Sequence, residues 1–139
     1  MSEPSRKTTT LIDARDNQAC VRCGVSLEVV SGSRHHRKPR AIGGHGVANL
    51  ILLCGSGVTG CHGWVHAHPV RAVAAGLIIP GNNRAQPSGV PVLVRWLGVE
   101  PHQSHVWVLL ADDGTRVRVS EGHAQELLAL YGLLPIGNQ

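Results

Sequence analysis

The sequence predicts an α+β fold: a segment dense in Cys, His and Gly, then a small antiparallel sheet and a short terminal helix. Three observations carry this. The four cysteines, Cys20, Cys23, Cys54 and Cys61, all fall before about Leu77, where the composition shifts to apolar residues with few potential ligands. His62 and His66 stand four apart in CHGWVH, the spacing of one helix face. VPVLVRW (90–96) and HVWVLLADDGTRVRVS (105–120) are β-branched alternating runs, the second broken at Asp113-Gly114 by a tight-turn signal.

In chain order, residues 1–17 are polar, without sustained periodicity, and read as a flexible lead with a short helical turn near Leu11 to Arg15. Residues 18–78 form the Cys/His unit, in which 60–67 would be helical and His68, before Pro69, would cap a second helix. PGNNRAQPSGVP concentrates loop-forming residues, so 79–91 is expected to be an exposed connection. Residues 92–139 are then a β-rich extension with a helix capped by Ser120, carrying Leu127, Leu128 and Tyr131, stopped by Gly132 and followed by Pro135.

Thirteen Lys and Arg against nine Asp and Glu give a net charge of +4 and a pI near 9.2, a mild excess that permits a polyanionic partner. The cations are concentrated: Arg34, Arg37, Lys38 and Arg40 lie within seven residues. With no Phe, three Trp and one Tyr, stacking platforms are scarce, which argues against a single-strand-binding module. No apolar signal region or membrane-length run is evident, so a cytoplasmic location is expected.

In a reducing compartment four cysteines are tested first as a metal site. Cys20-Val-Arg-Cys23 forms a CxxC knuckle, and Cys54 and Cys61 flank the Gly-rich GSGVTG. A two-residue spacing lets both thiolates reach one tetrahedral ion, and four thiolates would close a structural zinc site. The alternatives are four ordinary buried cysteines or a thioredoxin-like redox pair; no βαβ pattern accompanies the latter. On a helix, His62 and His66 would sit about 5–6 Å apart at Cβ. Adjacent His35 and His36 on an extended strand would face opposite sides, so one could ligate a metal while the other does something else.

RHHRKPRAIGG, Asn49 in VANLILLC, and CHGWVH together resemble the HNH, or ββα-metal, endonucleases. The cysteine pairs match the zinc-stabilised branch, and LLCGSGVTGCHGWVHAHP is similar to small HNH proteins of phages and prophages of high-GC bacteria. The resemblance spans roughly residues 18–120. It implies a hairpin leading into a helix with a divalent ion between them.

Residue by residue, it makes His36 the general base that activates water and Asn49 the residue that pins the hairpin loop. It makes His62 the final motif histidine and a metal ligand, with His35 and His66 as further ligands. His35 stands where many relatives have Asp, so the preferred ion, among Mg²⁺, Mn²⁺, Ni²⁺ and Zn²⁺, is left open, imidazole favouring the transition metals. The reaction implied is phosphodiester hydrolysis of double-stranded DNA, with charge on the phosphate neutralised at the metal.

Arg34, Arg37, Lys38 and Arg40 are the expected phosphate contacts. The phage-like resemblance implies a packaging role beside the terminase large subunit and portal. A non-catalytic zinc DNA-binding module and a homing or restriction-type nuclease are the competing readings. Trp64 is read as core, and His45, His68, His102, His105 and His123 are given no catalytic or metal role.

Overall fold

The computed structural model describes residues 3–96 and 105–134. His102 and Pro135 lie outside the described residues. The segment expected to be a flexible lead is instead a ten-residue helix, α1 (Arg6–Arg15), capped by Ser5, whose Oγ accepts from the Thr8 amide at 3.1 Å. Its inward residues explain the difference. Ile12 is fully buried, and Arg15 and Asp16 form a buried ion pair at 2.8 Å.

Arg15 also donates to the carbonyls of Val47 and Leu50, while Asp16 Oδ2 accepts from the Leu52 amide at 3.0 Å. Every polar atom of that pair therefore has a partner, within the pair or on the chain from Val47 to Leu52, which offsets the cost of burying two charges. Tertiary contact, not local periodicity, holds the helix in place.

Strands β1 (Gly32–His36) and β2 (Leu50–Cys54) pair antiparallel, with His35 opposite Ile51 and His36 opposite Leu50. Their long connection carries a four-residue helix, α2 (Arg40–Gly43), and a 3₁₀ turn at Val47–Asn49. Because side chains alternate along a strand, the hairpin has two committed faces. Leu50 and Leu52 pack with Ile12 of α1, whereas Ile51 and Leu53 pack with Cys61 and Val65 of α3 (Gly60–Ala67). The expected helix at 60–67 is thus present, and α4 (Pro69–Ala74) follows it after His68.

The second half folds into a three-stranded antiparallel sheet in the order β3 (Val92–Arg95), β4 (His105–Leu110), β5 (Arg116–Val119), then α5 (Glu121–Leu130). Ser120 Oγ accepts from the His123 amide at 3.1 Å, and Gly132 takes the left-handed conformation that ends the helix. One sheet face, Val92, Val94, Val106, Val108 and Leu110, joins the core of Ile51, Leu53, Val65 and Leu77. The other face packs Leu93, Trp107 and Val119 against Ala124 and Leu128 of α5.

The connection at 79–91 is not simply exposed. Ile79, Ala85 and Val90 are buried in that second cluster, so the segment packs as a layer between sheet and hairpin connection. Among the described residues no helix is long and apolar enough to cross a membrane.

Candidate metal centre and active site

Two clusters of potential ligands form, one on each side of the junction between β2 and α3. The four cysteines come from three places: the knuckle at 20–23, the end of β2, and the first turn of α3. Their sulfurs all lie within 4.8 Å of one another. Cys23 Sγ is 3.8 Å from Cys54 Sγ, matching the roughly 3.8 Å edge of a sulfur tetrahedron with bonds of ~2.3 Å.

The backbone amide of Cys61 points at Cys54 Sγ at 3.3 Å, and Arg22 Nη1 at Cys61 Sγ at 3.5 Å. Such donors favour thiolates. With no ion, burial pushes the Cys61 thiol up to about 12 despite Arg22. Gly24, φ +83°, closes the knuckle with Arg95 Cγ 3.1 Å from where a Cβ would sit. These four residues fit a structural ion such as zinc.

His35 of β1 and His62 and His66 of α3 form the second cluster, their candidate ligand atoms also within 4.8 Å of one another. Ring centroids are 5.0 Å apart for His35 and His62, 4.8 Å for His62 and His66, and 5.6 Å for His35 and His66. The i, i+4 spacing sets the helix pair, and strand alternation turns His35 to meet it.

His35 Nε2 lies 2.8 Å from the Leu77 carbonyl. A carbonyl only accepts, so Nε2 carries the hydrogen and Nδ1 keeps a bare lone pair, 3.3 Å from His62 Nε2. Burial, with the neighbouring histidines, drives the His35 pKa down to about 4 against the Leu77 bond, keeping the imidazole neutral. His62 Nδ1 is 2.6 Å from Ser33 Oγ.

His36, on the other strand face, is half-buried. Its Nε2 is 3.0 Å from Nδ1 of His45, and its pKa is lowered by burial, then by Arg40 and His45. His36 still reaches the same cleft as His35, His62 and His66, an open cavity of about 520 Å³ also lined by Arg34 and Arg40. Asn49 is buried and clamps the hairpin connection: Oδ1 accepts from the Lys38 amide at 2.8 Å, and Nδ2 donates to the carbonyls of Lys38 and Gly44 at 3.0 Å each.

Two of the four expected phosphate contacts are corrected by their surroundings. Arg37 is 1% exposed. Its guanidinium donates to the carbonyls of Gly76, Ala48, Pro87 and Val90 at 2.7–3.0 Å, so its forked donors organise three chain segments. Burial, then Arg15, lowers its pKa to about 9, which leaves it cationic at neutral pH. Lys38 is likewise buried, its Nζ donating to the carbonyls of Asn83 and Ala85.

Neither side chain can reach a phosphate without dismantling the layer it holds. Arg34 is exposed but bonded through two nitrogens to Asp13 at 2.6 and 3.1 Å. Arg40 lines the cleft and lies close enough to depress the His36 pKa.

Trp64 packs against the core beneath the Arg22 guanidinium, 3.6 Å from its ring centroid, as expected for a core residue. Sequence reasoning missed Ser33 and His45. Ser33 was within reach, since it stands two residues before His35 and so shares its strand face. His45 was not, because only the fold of the 37–49 connection returns it to His36. No family model, no curated protein and no solved structure matches this chain.

Proposed function

We propose that this chain is a metal-dependent endonuclease of the ββα-metal class that hydrolyses phosphodiester bonds in double-stranded DNA. The observation supporting it is the convergence of His35, His62 and His66 at one edge of a cleft that also contains His36, while Asn49 clamps the connection between them. Three imidazoles make a suitable ligand set for a divalent transition metal and leave positions open. The separate cysteine cluster, closed by four sulfurs, suits a structural zinc.

When bound, the divalent ion supplies Lewis-acid neutralisation of charge on the scissile phosphate. His36 removes a proton from water as the water oxygen bonds to phosphorus. The P–O3′ bond breaks, and the 3′ oxygen takes up a proton from solvent. The base role requires His36 to donate its Nε2 hydrogen to His45 Nδ1, leaving the lone pair of Nδ1 to accept.

Asn49 fixes the path of the chain just after His36 by bonding both the amide and the carbonyl of Lys38. Arg40, at the cleft, meets the phosphodiester backbone. A role in phage DNA packaging follows only from the sequence resemblance.

The test is plasmid cleavage with Mg²⁺, Mn²⁺, Ni²⁺ or Zn²⁺, alongside His36→Ala. The wild type nicks or linearises DNA with at least one ion, whereas His36→Ala retains fold and metal and does not cut. Retained DNA binding with no cleavage under any ion would favour a non-catalytic binding module, and wild-type cleavage by His36→Ala would remove the base assignment.

A further inference from the structure

We propose that Ser33 is a positioning residue: its hydroxyl locks His62 in the Nδ1–H tautomer, so that Nε2 is presented as a ligand, and ties the histidine site to the cysteine loop. This rests on His62 being a metal ligand, as in the function proposed above.

Ser33 and His35 share the β1 face that looks onto α3. Ser33 Oγ lies 2.6 Å from His62 Nδ1 and 3.2 Å from the carbonyl of Gly55. The hydroxyl has one hydrogen. Given to the Gly55 carbonyl, which can only accept, it leaves the oxygen lone pairs to receive a hydrogen from His62 Nδ1. His62 Nε2 is then bare and faces the bare Nδ1 of His35 across 3.3 Å.

The opposite tautomer would set an Nε2–H against His35 Nδ1 at 3.3 Å, the long end of hydrogen-bond distances. It would also turn the Ser33 hydrogen away from Gly55. An isolated imidazole gains nothing from that choice, but a ligand does, because a hydrogen on Nε2 would block the ion.

The acceptor is fixed by the cysteine loop. Gly55 follows Cys54, its amide donates to the Ser31 carbonyl at 2.9 Å, and its φ of +84° places it where a Cβ would lie 2.2 Å from the Thr59 carbonyl oxygen. The turn linking Cys54 to Cys61 therefore sets the position of the Gly55 oxygen. Through Ser33 it also sets the orientation of His62, the residue directly after Cys61. One side of the cysteine turn orients the zinc ligands and the other orients the histidine.

The experiment uses the full chain, zinc-loaded at the cysteines. Long-range ¹H–¹⁵N spectra of the histidine rings, taken with the histidine site free, report the His62 tautomer, and calorimetric titration with Ni²⁺ reports the site's affinity. Wild type and Ser33→Thr, which keeps the hydroxyl, show Nδ1–H at His62. Ser33→Ala shifts to Nε2–H and binds Ni²⁺ about 10- to 100-fold more weakly, while zinc content and thermal midpoint are retained.

A wild-type His62 found as Nε2–H overturns the proposal whatever the variants do. So does Ser33→Ala with unchanged tautomer and Ni²⁺ affinity. Neither readout involves DNA, so a failure of the nuclease reading leaves this result standing, and the reverse also holds.

Discussion

Replacing Arg37 with Met distinguishes an organising cation from a phosphate contact. Met keeps much of the buried volume but removes every donor. Four carbonyls, those of Ala48, Gly76, Pro87 and Val90, lose their partner. Hydrogen bonds to a charged donor are worth about 1.5–3 kcal/mol each, but the Pro87 carbonyl is only part-buried, so water can replace the donor there. Relief from desolvating the guanidinium offsets a further part of the loss.

A net destabilisation of about 4 kcal/mol is expected, large against the 5–15 kcal/mol typical of a domain. At about 3–4 °C per kcal/mol for a chain of this size, the Tm falls by roughly 12–16 °C. Differential scanning calorimetry and urea unfolding of the zinc-loaded protein measure it. A Tm within about 3 °C of wild type, together with a DNA-binding salt slope reduced by about one charge, would refute the organising role and restore Arg37 as a phosphate contact.

Cys54→Ala, which removes one sulfur from the cluster and the acceptor of the Cys61 amide, lowers zinc stoichiometry by one ion per chain and destabilises the knuckle; metal analysis and thermal unfolding check both. The acid limb of the cleavage rate lies below the ordinary imidazole range, because burial and Arg40 lower the His36 pKa and the neutral, active base persists to lower pH; a limb above that range in a rate–pH profile would contradict it. His45→Asn, whose amide can stand where Nδ1 stood, keeps more of kcat than His45→Ala, with KM for DNA little changed, if the His36 contact positions the base; steady-state kinetics on both variants separates the cases.

Much of the site was legible because it depends on short spacings. The CxxC knuckle, the i, i+4 histidines of α3 and the adjacent pair at 35 and 36 each carry their geometry in the local period of helix or strand. Strand alternation predicts that His35 and His36 face apart, and the observed faces of β1 do so, one against α3 and one against α1 and the 37–49 connection. The same alternation predicts the β-branched sheet, and Ser120 and Gly132 mark the ends of the final helix.

The charges were read less well. In the sequence Arg34, Arg37, Lys38 and Arg40 form one basic run, whereas in the fold Arg37 and Lys38 are internal, Arg34 lines the cleft while paired with Asp13, and Arg40 lines the cleft. Likewise residues 6–15 show little periodicity, yet Arg15 and Asp16 are anchored by hydrogen bonds to partners 32–36 positions away, and Ile12 packs with Val47, Leu50 and Leu52.

By itself the sequence determined which residues could be ligands and on what kind of element each would sit, since those follow from residue chemistry and local backbone period. Only the tertiary structure decided that three histidines meet, that the cysteine sulfurs approach tetrahedral spacing, and that Arg37 and Lys38 point inward. The physical reason is that a cation's orientation depends on which acceptors the rest of the chain brings to it. Carbonyls at Gly76, Asn83, Ala85, Pro87 and Val90 become a binding site for those two side chains only when the 79–91 layer closes over the hairpin.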